Sequence, residues 1–343
     1  MLWSSCVALS FGLSVNAAIS VSAQQTSSPV IGILSQPIGL RKTDQNTEQK
    51  EEYVIAASYV KWLESGGARS IPIPYDAGPG MVKDLFGQIN GLLLPGGGSA
   101  VPPAVHQLLN LALDESFPVW GTCLGFEYLV QVLSSNSSLP VLTDGFDAEN
   151  NSWPLLNVQR RQLYQDDRIY QIVRQKNVTS NSHHMGVEPS AFRNNENLNK
   201  LFEVTSVNVD GHGRPFVSTI EPRNPHIMPI YGVQYHPEKN AFEYGTYAGT
   251  NIPYKAIDHS EEAVEFSAYV ARFFVRLVKA HNDNNHDGSS VHRHHSYTKH
   301  RQYPLVQTYP VKQMLAFEQY YVIPSAKQLD KTIKQSASKL LRG

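Results

Sequence analysis

The sequence predicts an α/β fold: a mostly parallel central sheet flanked by helices on both faces, with added antiparallel strands. Short apolar runs alternate with helix-periodic segments through the first 133 residues, which is typical of a parallel sheet covered on both sides. Residues 134–225 are instead rich in Asn, Ser, Asp and Pro and contain a hairpin pattern. The chain has 343 residues, of which 41% are apolar, so it can bury a full hydrophobic core.

The predicted elements follow in chain order. Buried strands are expected at residues 29–34, 68–74, 90–94, 117–122 and 230–236. Helices are expected at residues 51–65, 82–89, 106–115, directly after Cys123, and at 260–279, where the apolar residues share one face. Strands at 202–209 and 216–220, joined through Gly211 and Gly213, predict an antiparallel edge of the sheet.

The two ends of the chain have different character. Residues 1–23 are apolar and end in Val-Ser-Ala, which predicts a cleaved signal peptide, although no Lys or Arg precedes the apolar part. A buried or disordered N-terminus is the alternative. Residues 29–281 form the expected catalytic domain, and 282–300 a His- and Asn-rich linker, for which metal binding is the less favoured interpretation. Residues 301–343 are expected to pack back through their aromatic part and to end in a polar tail.

Charge and composition exclude several classes of function. The formal net charge is −1 with no long basic block, which gives no indication of nucleic-acid binding. After the N-terminal segment no stretch reaches the roughly 18 apolar residues that span a bilayer. Sequons at Asn136, Asn150 and Asn177 agree with passage through the secretory route, to the cell exterior, a lysosome or a vacuole.

The chemistry is predicted to centre on Cys123. It lies between an apolar strand pattern and a helix pattern, and Gly121 and Gly125 flank it, as in a nucleophile elbow. The helix N-terminus is expected to favour the thiolate. The other cysteine, Cys6, lies in the predicted signal peptide. Taken alone, a cysteine in this position is more often a small core residue.

His236 is the predicted general base for that thiol. It follows the apolar strand 230–235, so its ring should reach the carboxyl edge of the sheet, where the Cys123 strand also ends. Glu238 lies two residues further on and can orient the far ring nitrogen. A strand-end histidine satisfied by backbone is the alternative for His236 alone. The co-occurrence of both motifs at strand ends favours catalysis.

Acyl transfer also needs donors for a developing oxyanion. The backbone N–H of Leu124, at the start of the helix, is one candidate. The other lies in the glycine run 96–98, at Gly97 or Gly98, where no side chain obstructs the amide. A flexible turn or a phosphate nest is the alternative, but no Gly-Lys-Ser/Thr follows, which disfavours a P-loop.

Three strings in this order resemble the gamma-glutamyl hydrolases, members of the class I glutamine amidotransferase-like superfamily: residues 92–98, 118–127 and 231–239. The resemblance implies that Cys123 is the nucleophile, His236 the base and Glu238 its partner. It also implies a second histidine near the site, for which His183 matches better than His184. Glu127 would bind a substrate amino group or be a buried structural carboxylate, and Gln234 and Gln36 are weaker candidates for the pocket rim.

The resemblance further implies the reaction and its partners. Gamma-glutamyl amide bonds of folate poly-gamma-glutamates would be hydrolysed through a thioester. No cofactor, metal ion, nucleic acid or membrane is expected, and a homodimer is the common form in the family. Two other functions stay open, a glutaminase and a non-catalytic binding protein that keeps the fold.

Overall fold

Strands and helices alternate along most of the chain, and the computed structural model describes residues 28–38, 52–134, 140–284, 303–314 and 317–340. The strands are β1 Val30–Leu34, β2 Gln36–Ile38, β3 Glu52–Ala56, β4 Arg69–Ile73, β5 Gly91–Leu94, β6 Val119–Thr122, β7 Leu142–Thr143, β8 Ala148–Trp153, β9 Thr179–His183, β10 Gly186–Val187, β11 Phe202–Val209, β12 Pro215–Pro222, β13 Ile230–Val233, β14 Val311–Met314 and β15 Phe317–Ile323. The helices are α1 Ala57–Ser65, α2 Pro79–Phe86, α3 Pro103–Asp114, α4 Leu124–Leu133, α5 Asp167–Gln175, α6 Pro189–Asn194, α7 Glu196–Leu201, α8 Lys239–Phe242, α9 Glu261–Asn284 and α10 Ala326–Leu340.

Seven strands form the central sheet in the order β11-β12-β13-β6-β5-β1-β4. The five strands from β13 to β4 are parallel, and β12 and β11 add an antiparallel edge. The predicted fold class and its antiparallel hairpin are therefore confirmed. Parallel neighbours β6 and β13 both end at the same edge, with Thr122 opposite Val233, so the residues after them are brought together.

Alternate residues of the parallel strands feed two separate core layers, because successive side chains point to opposite faces. On β1, Val30 and Leu34 face one layer and Ile31 and Ile33 the other. The first layer contains α2, α3 and α4, and the second contains α1, α5 and α9. The expected coverage of both sheet faces is thus present, and it excludes water from the strands that end at the candidate site.

The helix predicted over residues 51–65 is wrong in its first third. Residues Glu52–Ala56 form strand β3, and α1 begins only at Ala57. β3 lies in a second, four-stranded sheet between β2 and β15, both antiparallel to it. Tyr53, Val54 and Ile55 favour a strand locally, and pairing with a distant part of the chain decides the outcome.

The C-terminal segment returns to this second sheet. β15 pairs with β3 from Tyr320–Ala56 to Ile323–Tyr53, and Ile323 is buried. The following residues, expected to be a polar tail, form α10, whose Leu329 packs in the first core layer.

Several predictions lie outside the described residues: the signal peptide 1–23, the sequon at Asn136, residues 285–300 of the linker and the last three residues. Residues 282–284, assigned to that linker, are the last turn of α9. In the described ranges no helix is both long and apolar enough to cross a membrane.

Candidate active site

The candidate site lies at the carboxyl edge of β5, β6 and β13. Cys123 follows β6, the glycine run 96–98 follows β5, and His236 follows β13 by three residues. The backbone N–H of Cys123 donates to the carbonyl of Val233 at 2.8 Å, which ties the two segments together beyond the ends of their strands. The edge where an open α/β sheet binds its ligands is therefore the edge that carries the predicted residues.

Cys123 occupies a strained turn between β6 and α4. Its φ of 51° and ψ of −108° are unusual for a residue with a side chain, and such strain is concentrated at functional sites. Gly121 and Gly125 act by allowing close approach: a Cβ on Gly125 would stand 1.9 Å from the carbonyl oxygen of Leu94. The elbow predicted from sequence is present, with the positive φ on the cysteine itself.

Gly96 marks the meeting point of the predicted nucleophile and base. A Cβ on Gly96 would stand 2.6 Å from Cε1 of His236 and 3.4 Å from Cβ of Cys123. The two side chains thus flank one position, although they are 113 residues apart in the sequence. Any residue larger than glycine would force the imidazole away from the cysteine.

Glu238 holds the far side of the imidazole. Its Oε1 lies 2.7 Å from Nδ1 of His236, and both side chains are buried. A carboxylate at this distance accepts Nδ1–H, which leaves Nε2 unprotonated as the acceptor for a thiol proton. Burial lowers the pKa of His236 to about 4, with Lys239 acting in the same direction and Glu238 opposing it. The ring is therefore a neutral base at neutral pH.

The expected thiolate at Cys123 is not favoured in this arrangement. Burial raises the pKa of the Cys123 thiol, and the nearby Glu127 carboxyl raises it further. Lys239 and a hydrogen bond from the Leu124 backbone lower it by less. The thiol is therefore neutral at rest, and the helix N-terminus offsets only part of the cost of burying the charge.

Tyr59 is a site residue that sequence reasoning missed. Its hydroxyl accepts the Gly96 N–H at 2.8 Å and lies 3.4 Å from Nδ1 of His236. Tyr59 comes from α1, directly after β3, and is buried. Inside an amphipathic helix a tyrosine carries no distinguishing pattern, so only the three-dimensional arrangement reveals it.

The oxyanion-hole candidates differ in the surroundings of their backbone N–H groups. Of the glycine run, Gly96 already donates to Tyr59, whereas Gly97 and Gly98 are exposed to solvent. Leu124 begins α4 beside the sulfur, and its backbone hydrogen-bonds to Cys123. Leu124 therefore lies next to the sulfur, and an oxyanion-binding role for Gly97 or Gly98 stays a prediction.

Of the two candidate histidines, His183 is buried and His184 is exposed. His183 ends β9, and the carbonyl of Ser180 on the same strand accepts the His236 backbone N–H at 2.8 Å. Its Nδ1 lies 2.7 Å from the Met185 carbonyl oxygen, and its Nε2 lies 3.3 Å from Oδ1 of Asn181. Burial lowers its pKa to about 4. His183 is thus anchored beside the base but engaged within its own hairpin.

The three predicted substrate-binding residues are all buried. Glu127 lies one turn after Cys123 and accepts from Nε2 of Gln234 at 3.0 Å. Burial raises the pKa of Glu127 to about 7, and the Gln234 hydrogen bond opposes the rise. Gln36 accepts from Ser99 at 2.7 Å, and its Nε2 has no hydrogen-bond partner among the described residues.

Two of the predicted glycosylation sites and the question of a metal site lie outside the Cys123 cluster. Asn150 and Asn177 are both exposed. Within the described ranges no group of three or more His, Cys, Asp or Glu side chains is arranged to hold a metal ion.

Comparison with known proteins identifies the family. Residues 56–252 match the family model described as glutamine amidotransferase class-I. The gamma-glutamyl hydrolase of Bos taurus is 36% identical over 276 residues, which cover 77% of this chain and 81% of the bovine one. Gamma-glutamyl hydrolase B of Dictyostelium discoideum is 35% identical, covering 76% and 74%. The Homo sapiens gamma-glutamyl hydrolase is 35% identical, covering 74% and 79%. With its sheet, elbow and strand-end histidine, the chain belongs to the gamma-glutamyl hydrolase family.

Proposed function

We propose that this gamma-glutamyl hydrolase cleaves the gamma-glutamyl amide bonds of folate poly-gamma-glutamates through a thioester on Cys123. The observation that carries the mechanism is the convergence of Cys123 and His236 on Gly96, with Glu238 behind the imidazole. The folate substrate class follows from the family resemblance. Polyglutamates are polyanions, and lysines line a cleft beside the site.

The proposed reaction has two halves that use the same imidazole. Sγ of Cys123 attacks the side-chain carbonyl carbon while its proton passes to Nε2 of His236. The tetrahedral oxyanion is held by the Leu124 N–H and by an amide of Gly97 or Gly98. It collapses to a thioester as the imidazolium protonates the departing amine. Water then attacks the thioester, gives a proton to His236, and the new carboxyl group leaves as the thiol is restored.

Product analysis on folate pentaglutamate, by mass and at acid and neutral pH, tests the proposal. Wild-type enzyme should shorten the chain by whole glutamates, whereas Cys123→Ala should release no product, and His236→Asn should lose at least about 10²-fold in kcat/KM because the base is gone. One equivalent of iodoacetamide on Cys123 should abolish turnover. Release of ammonia from glutamine without pentaglutamate cleavage would indicate a glutaminase instead. Binding without cleavage would indicate a non-catalytic protein.

We also propose that the enzyme travels the secretory route. Exposed Asn150 and Asn177 are compatible with glycan attachment. Protein expressed in a eukaryotic cell should lose mass on treatment with an endoglycosidase, and Asn150→Gln and Asn177→Gln should each remove one step of that loss. An unchanged mass would contradict the proposal.

A further inference from the structure

A small cleft beside the candidate site is lined by two lysines. Lys239 directly follows Glu238 and begins α8, and Lys255 lies in the loop between α8 and α9. The rest of the lining is Glu243, Gly245, Tyr254 and Ile257. The lining thus contains two lysines and one glutamate.

The Lys239 side chain is buried almost completely. It is 3% exposed, and no hydrogen bond or ion pair joins its ammonium to any described residue. Two carboxyl groups lie nearby and each has one oxygen engaged, Oε1 of Glu238 with His236 and Oε2 of Glu243 with the backbone N–H of Glu318, whereas the second oxygen of each has no hydrogen-bond partner among the described residues. Burying an unpaired charge is costly unless an anion compensates it. An incoming carboxylate would supply that compensation.

Lys255, the second lysine of the cleft, is held in place by a hydrogen bond. Its Nζ donates to Oγ of Ser182 at 2.7 Å, and Ser182 donates in turn to Oε2 of Glu149 at 3.0 Å. Burial lowers the pKa of Lys255 to about 8, so it is still protonated at neutral pH. An ammonium has three donors, and Ser182 uses one of them. The rest are available to a ligand in the cleft.

The position of the two lysines indicates which part of a substrate they contact. Lys239 follows His236 by three residues, and Lys255 contacts Ser182 on β9, the strand whose Ser180 carbonyl accepts the His236 backbone N–H, so both lysines lie beside the segment that carries the imidazole. The imidazole protonates the leaving amine, and the leaving group must therefore lie on that side as well. Glu127 and Gln234, by contrast, meet at α4, which carries the nucleophile at its start.

We infer that Lys239 and Lys255 form an anion subsite that binds the α-carboxylate of the glutamate released by cleavage. The inference rests on the proposed function, which it deepens by assigning the recognition of the leaving group. Its chemical requirement is a carboxylate close to the scissile nitrogen, as a γ-linked glutamate provides.

Three substrates distinguish recognition of the released glutamate from recognition of the retained glutamate. The parent is 4-aminobenzoyl-glutamyl-γ-glutamate. One analogue carries an α-carboxamide on the released residue, and the other carries it on the retained residue. Wild-type enzyme should lose roughly 10- to 100-fold in kcat/KM with the first analogue, because a charge-assisted contact is lost.

Lys255→Gln should cleave the parent about as slowly as wild type cleaves the first analogue, with no further loss on that analogue. The ratio of its kcat/KM values for the parent and the second analogue should equal the ratio measured for wild type. Lys255→Arg should restore most of the preference, since it keeps the charge. Lys239→Met should behave like Lys255→Gln, and thermal unfolding checks that it folds. Lys83→Met, which removes an exposed lysine on α2, is the matched control and should keep the full preference.

The inference is overturned if wild type does not distinguish the first analogue from the parent. It is also overturned if Lys255→Gln discriminates between the parent and the first analogue as strongly as wild type does. The same holds if Lys255→Gln instead loses the discrimination between the parent and the second analogue. A wild-type enzyme that cleaves none of the three substrates contradicts the proposed function, which is a different and separately visible outcome.

Discussion

Cys123 and His236 are both neutral at rest, because burial raises the pKa of the thiol and lowers that of the imidazole. A preformed thiolate–imidazolium pair is therefore disfavoured at rest. In the proposed mechanism, the nucleophile is generated when the thiol proton moves to Nε2, with Glu238 stabilising the imidazolium that forms. Activation is thus a property of the pair, and the sulfur is protected from adventitious oxidation between turnovers.

Glu238→Gln should lower kcat/KM by at least about tenfold, because the amide stabilises the imidazolium less well. Glu238 raises the pKa of His236, so its loss should move the acid limb of the profile from about pH 4 to lower pH. A pH profile of kcat/KM measures both effects. Glu221→Gln, a buried carboxyl on β12, is the matched control and should change neither. An acid limb that moves upward in Glu238→Gln would contradict the assignment.

Tyr59→Phe should reduce activity by roughly tenfold and destabilise the fold by about 1–3 kcal/mol, because the buried Gly96 N–H loses its acceptor. Rates and thermal unfolding measure the two effects. Tyr309→Phe is the matched control: its hydroxyl has no hydrogen-bond partner among the described residues, so its removal should be close to neutral. Equal effects in the two variants would argue against a positioning role for Tyr59.

The site residues that sequence reasoning found lie in strings whose local pattern is informative. Cys123 is flanked by glycines at a strand–helix junction, and His236 follows an apolar strand. Tyr59, Lys239 and Lys255 were not assigned roles because their significance depends on distant partners. A lysine after a glutamate predicts an exposed side chain, and only the packing around α8 shows that Lys239 is buried.

Among the elements, strand β15 supports the segment that carries Tyr59. It pairs with β3, and α1 starts at the residue after β3. The same strand begins near α8, where the Glu318 backbone N–H donates to Glu243 at 2.7 Å. The C-terminal segment therefore contacts both the tyrosine side and the lysine side of the site.

Ile323→Ala in β15 should destabilise the protein by about 2–5 kcal/mol, because a fully packed side chain leaves a cavity. Val311→Ala in the neighbouring β14 is the control, since Val311 is 48% exposed and should cost less than about 0.5 kcal/mol. Denaturant unfolding of both variants gives the difference. Similar stabilities would mean that β15 contributes little to the second sheet.

The second sheet could not be predicted because its strands are far apart in sequence. Residues 51–65 have helical spacing throughout, and nothing local marks the change from strand to helix at Ala57. The parallel strands were found because each is a short, wholly apolar run, which reflects burial on both faces. The apolar sequence pattern is therefore sufficient to locate the strands of the central sheet. The strands of the second sheet depend on pairing between distant parts of the chain.

For the whole molecule, four buried groups predict a plateau of stability between about pH 4.5 and 6.5. The pKa values of His183 and His236 fall from 6.5 to about 4 on folding, so protonation in the unfolded chain costs stability as pH falls through this window. Burial raises the pKa values of Glu127 and Glu221 from 4.5 to about 7, so stability is lost as pH rises through it. The slopes of these four groups oppose one another, and Glu243, whose pKa burial also raises, contributes to the loss of stability at rising pH.

Thermal unfolding across pH 4 to 7.5 measures this plateau. Below it the histidines dominate and Tm should fall with falling pH, and above it the glutamates dominate and Tm should fall with rising pH. Glu221→Gln removes one of the two carboxyl groups that oppose the histidines. The Tm of this variant should therefore increase with pH between pH 4.5 and 6.5. A Glu221→Gln variant whose Tm depends on pH in the same way as that of wild type would contradict the assignment of Glu221.

The ladder between β3 and β15 has a consequence for biosynthesis. Tyr53 and its register partner Ile323 leave the ribosome far apart in time, on the order of tens of seconds at ordinary elongation rates. Throughout that interval the edge of β3 that later pairs with β15 has unpaired backbone N–H and C=O groups. Such an edge can pair with another chain and cause aggregation. A ribosome-bound chain that is arrested before residue 317 lacks β15 and should therefore be inactive and prone to self-association. A chain that is released after β15 has been synthesised should be active.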